Sequence, residues 1–254
     1  MRRNLLKALA LSAMLAVGVA AIANAASTKI QVGNLILTFG GTISPSKLPK
    51  SQYAPITSNI FGKVQTTDGT HPSAFREAVV DITNVKVDTK GIPVCKSGQL
   101  QARDTKAAKR VCGKTVIGSG LAHAEIAFPE QRPIIVPSPI TVFNGGTAGG
   151  KTKMLIHTFI TVPVPAAIVT DVTIKKKGSG INAVAKVPVI AGGSGSALDF
   201  KFKVSNKVVS AKCPGGSIKA TTTKTLFKNE AGTPGVPAST ILKGSVSVPC
   251  KPKG

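Results

Sequence analysis

The sequence predicts an all-β fold: an antiparallel β-sandwich of about ten strands, with one short helical insert between Cys95 and Cys112. Three observations carry that expectation. Runs rich in Val, Ile, Thr and Phe alternate with polar residues, as in Asp199-Phe200-Lys201-Phe202-Lys203-Val204, which suits a half-exposed antiparallel strand. The 26 Gly and 17 Pro are scattered rather than clustered, the punctuation of many short strands. Only Asp104–Val111 has helical character.

Residues 1–25 read as an export signal peptide. Arg2, Arg3 and Lys7 form a positive start, Ala8–Ile22 is apolar, and Ala23-Asn24-Ala25 is a small-x-small cleavage site. Arg2-Arg3-Asn4-Leu5-Leu6-Lys7 fits a twin-arginine signal as well as an ordinary secretory one. The expected location is secreted or cell envelope. No later apolar run reaches the length of a membrane-spanning helix. The rest, 26–254, is expected to form one β-sandwich domain, or two smaller β subdomains split near 137–139.

Strands are expected in order over Ser27–Gly40, Ile60–Gln65 and Ala78–Lys86, with Pro45–Pro55 as loop and a turn at Thr67–Pro72. In the insert, Asp104 suits the helix N-cap, and Lys109 and Arg110 suit its C-terminal end. Thr115–Phe128 alternates, with Ala122, Ala124, Ile126 and Phe128 on one side and Leu121, His123, Glu125 and Ala127 on the other. Arg132–Pro165 reads as a central hairpin turning at Asn144-Gly145-Gly146, with Met154–Val162 leading out. Pro133, Pro137 and Pro139 suit an edge or bent strand. Then come Ala167–Lys175, Ala183–Ile190, the Asp199–Val204 strand, Ser217–Phe227 and Ser239–Val248.

Four cysteines, Cys95, Cys112, Cys213 and Cys250, imply disulfides in an oxidising compartment. Three pairings are possible, and sequence proximity favours Cys95–Cys112 with Cys213–Cys250. Zinc is disfavoured because no pair has short C-x2–4-C spacing.

One nucleotide-binding motif is present. Gly145–Thr152, GGTAGGKT, satisfies the phosphate-loop pattern G-x-x-x-x-G-K-[ST]. That loop must open into a helix whose N-terminus faces the phosphate. The following residues are β-branched and closed by Pro163 and Pro165, so a strand is expected and the match is a coincidence of composition.

The segments GKVQTTDGTHPSA (62–74), GIPVC (91–95), VCGKTVIGSG (111–120), VFNG (142–145), MLIH (154–157), VPVIAGGSGSALDF (187–200) and CPGGSIKATTT (213–223) resemble an uncharacterised family of exported proteins abundant in high-GC soil bacteria. The resemblance spans nearly the whole mature chain. It implies export, an all-β fold, a two-cysteine helical insert and a C-terminal cysteine pair, and it transfers no activity and no site residue. The family's C-terminal half is often richer in Tyr and Trp than this chain.

The catalytic inventory is thin. His71 lies in a Pro-flanked turn, His123 on the Leu121/Glu125 side of its strand, and His157 between Leu155 and Phe159. No G-x-S-x-G elbow occurs, Gly192–Ser196 coming closest. Glu125 and Glu130 are the conceivable carboxylate pair for glycoside hydrolysis, but Trp is absent. No acidic cluster suits calcium. No cofactor and no metal site is expected.

Charge is the remaining signal. There are 33 Lys and Arg against 10 Asp and Glu. Without Arg2, Arg3 and Lys7 the net charge stays near +20. Lys151, Lys153, Lys175, Lys176, Lys177, Lys201 and Lys203 could form a surface for anionic envelope polymers or lipid headgroups. Specific nucleic-acid recognition is disfavoured, because stacking aromatics are scarce and the charge is mostly Lys. The expected function is a non-enzymatic exported module, structural or interacting with the cell envelope. The alternatives are a polyanion-binding surface protein and a secreted hydrolase with a dispersed site, the latter requiring His123 or His157 beside a Ser or Asp.

Overall fold

The computed structural model describes residues 25–128 and 131–253. The signal-peptide reading and Glu130 therefore lie outside the described residues, apart from Ala25. In chain order the elements are β1 (Ala26–Val32), β2 (Leu35–Ser44), β3 (Lys47–Pro49), β4 (Ala54–Pro55), β5 (Thr57–Thr66), β6 (Ala74–Ile82) and β7 (Val85–Val87). After α1 (Thr105–Cys112) come β8 (Val116–Phe128), β9 (Gln131–Ala148), β10 (Lys151–Ile160), β11 (Ala166–Lys177) and β12 (Gly180–Lys186). The last are β13 (Gly195–Val204), β14 (Val209–Ala211), β15 (Ser217–Lys228), β16 (Ser239–Pro249) and β17 (Lys251–Lys253).

Twelve strands form one antiparallel sheet in the order β1-β2-β5-β13-β8-β9-β10-β11-β12-β6-β15-β16. Its edges come together: Gly244 of β16 leaves room for Ile30 of β1, and a Cβ at 244 would collide with that side chain. The architecture is therefore a nearly closed barrel-like sheet, which corrects the expected ten-strand sandwich. Strands with one face buried have the same period of two in both architectures. Strand order and edge closure tell them apart, and both depend on contacts remote in sequence.

Eight strands enclose a space that wall side chains alone can fill, so a twelve-strand wall needs further packing. The short strands supply it. Leu48, Ile56, Val85, Val209 and Ala211 pack with Ile140, Val142, Met154, Ile174 and Ile181 of the wall. They belong to the three-stranded sheet β4-β14-β7, to the parallel pair β3-β17, and to the chain between β4 and β5. These segments cover one end of the barrel. A second cluster, Ala124, Ile126, Val136, Ile160, Ile168 and Ile190, lies toward the other end. Leu35, Leu37, Val64, Phe227 and Leu242 form a third beside the β1–β16 closure.

Around Val142–Phe143 and Met154–Leu155 the β9–β10 hairpin is buried on both faces. Val142 and Met154 face inward, whereas Phe143 and Leu155 are covered from outside by Cys95, Leu100, Ala108 and Cys112. The insert has the expected form: the Asp104 side chain accepts from the Ala107 amide at 2.6 Å, and Lys109 and Arg110 sit in the last turn of α1. Both disulfides join the neighbours in sequence, Cys95–Cys112 and Cys213–Cys250.

Four local expectations change. Pro45–Pro55, expected as loop, carries β3 and β4 and buries Leu48. The turn of the central hairpin is at Gly149-Gly150, where φ is 55° and 70°, rather than at Asn144-Gly145-Gly146. Asn144 is buried and donates through Nδ2 to the carbonyls of Ile92 and Pro93, at 2.9 and 3.0 Å, so it anchors the insert instead. Ser27–Gly40 is not one strand but most of the β1–β2 hairpin. Asn84, at φ 57°, divides Ala78–Lys86 between the barrel and the end sheet. Lys151 opens a strand, as the reading of the phosphate-loop lookalike required. Pro133, Pro137 and Pro139 lie where β9 pairs with β8 alone, β10 reaching only Thr141, so the missing amides face no partner strand.

Replacing Cys95 and Cys112 together by Ala opens a loop of 17 residues in sequence separation. Urea denaturation should show a loss of about 3 kcal/mol with the far-UV strand signal retained. A change well under 1 kcal/mol would mean that the insert is held by packing alone.

Candidate functional site

The end sheet presents the most coherent polar surface. Val85, Val209 and Ala211 point into the core. Their alternates, Lys86, Ser210 and Pro55, form one register row facing outward. Tyr53 and Lys212 continue that face one residue beyond the ladder. The ring of Tyr53, the sole tyrosine, gathers two cations: Lys86 Nζ lies 4.0 Å and Lys212 Nζ 5.3 Å from its centroid. Its hydroxyl donates to the Ser179 carbonyl at the tip of the β11–β12 hairpin. The same tip is fastened by Ser179 Oγ to Asn84 Oδ1 at 3.1 Å. Beside it, Lys177 Nζ meets Asp81 Oδ2 at 2.7 Å. That lysine, with Asn182, holds the Asp81 carboxyl below its ordinary range.

The seven lysines singled out from sequence do not form one cluster. Lys151 and Lys175 are directly opposed across β10–β11. Lys153 pairs with Asp171 at 2.8 Å and Lys177 with Asp81. Lys176 is opposite Ile181, on the other side of β11 from its two neighbours. Lys201 and Lys203 lie on β13, separated from β10 by β8 and β9. Three strand spacings put the two groups roughly 14 Å apart round the wall. The insert stands on the β9–β10 face between them.

Carboxylate partners explain where free charge remains. Among the described residues, Glu77, Asp81, Asp171 and Glu230 pair with Lys224, Lys177, Lys153 and Arg76, and Glu125 and Asp199 pair with His71 and His123. Asp68, Asp88 and Asp104 accept backbone amides in turns or at the helix start. Bonds from Thr70 pull Asp68 down to about 2. Each of these nine acids is engaged locally, so among the described residues no carboxylate pairs with Lys86, Lys212, Lys151, Lys175, Lys201 or Lys203.

The three histidines differ. His123 Nδ1 meets Asp199 Oδ1 at 2.8 Å on the barrel's outer wall, beside an open concavity of about 480 Å³ that Lys201 and Lys203 also line. His157 is enclosed against Phe143; Nε2 donates to the Arg103 carbonyl at 2.9 Å, and Nδ1 is buried without a partner. Burial lowers its pKa, against the raising effects of that carbonyl bond and of Asp104. His71 is the histidine that meets a serine. Its Nδ1 stands 2.7 Å from Glu125 Oε2 and its Nε2 3.2 Å from Ser196 Oγ.

Comparisons with family models, with curated proteins and with solved structures find no match.

Sequence reasoning missed both constellations. Tyr53, Lys86 and Lys212 are dispersed along the chain, and each alone is unremarkable. The one available signal was compositional: a single tyrosine in a lysine-rich chain. Gly192–Ser196 has the look of a failed elbow, and its spacing gives no link to His71.

His157 gives a pH dependence whose sign follows from its lowered pKa. Above pH 6.5 neither state protonates it. Below that, the unfolded chain takes a proton that the folded site resists, so stability falls as pH drops, by up to about 1.4 kcal/mol per pH unit. His157→Gln keeps a donor for Arg103 and removes the titration. Denaturation midpoints between pH 7.5 and 5 should fall less steeply in that variant than in the parent, and equal slopes would contradict the assignment.

Proposed function

We propose that this protein is an extracytoplasmic interaction module that holds an anionic envelope polymer at the covered end of its barrel. The observation that carries the reading is the outward face of the end sheet, where Lys86 and Lys212 both stand over the Tyr53 ring. The end sheet is short, but its other face is part of the main core, so the cations stand on a rigid base. Two lysines gathered over one ring offer paired positive charge at a fixed place, which suits a chain of repeating anions. The uncompensated lysines elsewhere extend the positive field and speed encounter. Two disulfides and the export-like start of the sequence fit an oxidising location.

A polymer is favoured over lipid headgroups by the distribution of apolar residues. Membrane-surface proteins pair cations with protruding apolar side chains. Here exposed Ile134, Ile135, Val162, Val164 and Val189 lie toward the end where Ile168 of β11 is buried, while exposed Val94 and Val116 stand nearer the covered end. The Tyr53 face lies toward the opposite end of the same strand, near Lys177.

Binding to long-chain polyphosphate, followed by titration at several salt concentrations, tests the proposal. Affinity should fall as salt rises, and Lys86→Ala with Lys212→Ala should weaken it about tenfold and flatten the salt slope by roughly two contacts. Lys201→Ala with Lys203→Ala should do less. Equal loss from both pairs would show diffuse attraction, and tighter binding to phosphatidylglycerol vesicles than to the polymer would move the partner to the membrane.

A further inference from the structure

We propose that Ser196 is the nucleophile of a shielded acyl-transfer site, acting on esters of small acyl groups. The inference is independent of the polyanion reading and rests on a different part of the barrel. His71 comes from the turn before β6, Glu125 from β8, and Ser196 from the start of β13. Register pairs Ser196 with Glu125 across β8–β13, and the His71 ring bridges their side chains. The resulting order, hydroxyl to Nε2 at 3.2 Å and Nδ1 to carboxylate at 2.7 Å, is that of a nucleophile, its base and the group orienting the base. A buried hydroxyl needs one partner. Ser196 already has one in the Pro72 carbonyl, to which it donates, so satisfying the serine does not require the imidazole–carboxylate pair behind it.

The site is closed in this structure. Ser196 is 1% exposed, and the recess before it, about 160 Å³ of empty space, is too narrow for a water-sized sphere. Its cover is the connection between β15 and β16, Asn229–Ala238, with Gly232 and Gly235 at positive φ. This segment is folded on Asn229, which donates to the carbonyls of Thr233 and Val236 at 2.9 and 3.0 Å. It is fastened to the wall by Glu230 Oε1 on Arg76 Nε at 2.9 Å. Glu230 also lines the recess, and its Oε2 is buried without a partner. A Gly/Pro-rich loop held by one ion pair belongs to the low-stability end of a fold.

In this structure the serine hydroxyl is turned to the Pro72 carbonyl. Reaction requires it turned to an Nε2 lone pair, with Nδ1 donating to Glu125. Ser196 Oγ then bonds to the ester carbonyl carbon while its proton passes to Nε2. The carbon–alkoxide bond breaks, and the alkoxide leaves with that proton. Water, deprotonated by Nε2, attacks the acyl-serine, and the proton returns to Oγ as the acid departs.

The test uses a fluorophosphonate probe on the full disulfide-bonded protein, with the adduct located by peptide mapping. The parent should label slowly at Ser196. Glu230→Ala, which unfastens the cover, should label about tenfold faster. Adding His71→Gln to it should slow labelling about a hundredfold, and adding Ser196→Ala should abolish it. Arg76→Ala releases the same ion pair from the other side and replaces Glu230→Ala if that variant does not fold. The proposal is overturned if neither opened variant, folded by circular dichroism with both disulfides intact, forms an adduct at Ser196. It is equally overturned if labelling there is indifferent to His71→Gln, the outcome expected of a purely structural tie.

Discussion

A broad antiparallel sheet has two edges whose amides and carbonyls invite other chains, and the rest of this structure follows from how those edges are brought together. β1 and β16 approach each other where Gly244 gives way to Ile30. Closure creates an inside, and twelve strands make that inside wide. The short strands β3, β4, β7, β14 and β17 form the cover at one end, and the Cys213–Cys250 bond ties the last strands into it. Sequence that looked like loop, Pro45–Pro55 above all, is therefore part of the core.

The central hairpin is held by a second kind of covering. β9 and β10 lie mid-sheet, and their outer residues Phe143 and Leu155 are apolar as well as their inner ones. A barrel wall normally leaves that side to water. The disulfide-bonded insert takes its place, with Asn144 and His157 bonding its backbone. The phosphate-loop lookalike sits at the turn of this hairpin, where two glycines meet the demand for positive φ.

Both candidate sites are by-products of the closure. The Tyr53 face exists because the end sheet must turn its apolar side inward, leaving Lys86 and Lys212 on the other. The Ser196 site exists because β13, late in sequence, inserts between β5 and β8. That crossover sets Ser196 beside Glu125 and under the β15–β16 connection. Each is a constellation of residues dozens of positions apart. Neither could be recognised from spacing, whereas the Asp104 cap, a contact within one turn, was legible at once.

Local chemistry in the sequence was enough to set the strand-rich character, the capped insert, the nearest-neighbour disulfides and the shared side of Ala124 and Ile126. Those features depend on alternation, turn preference and short chain closures, all of which act over a few residues or a single loop. Tertiary structure alone decided barrel against sandwich, the order of the strands, the separation of Lys201 and Lys203 from Lys151 and Lys175, and which histidine meets a serine. The physical reason is that a strand's period of two states which side is buried but not which strand lies beside it. Neighbours are chosen by the packing of the whole closed wall.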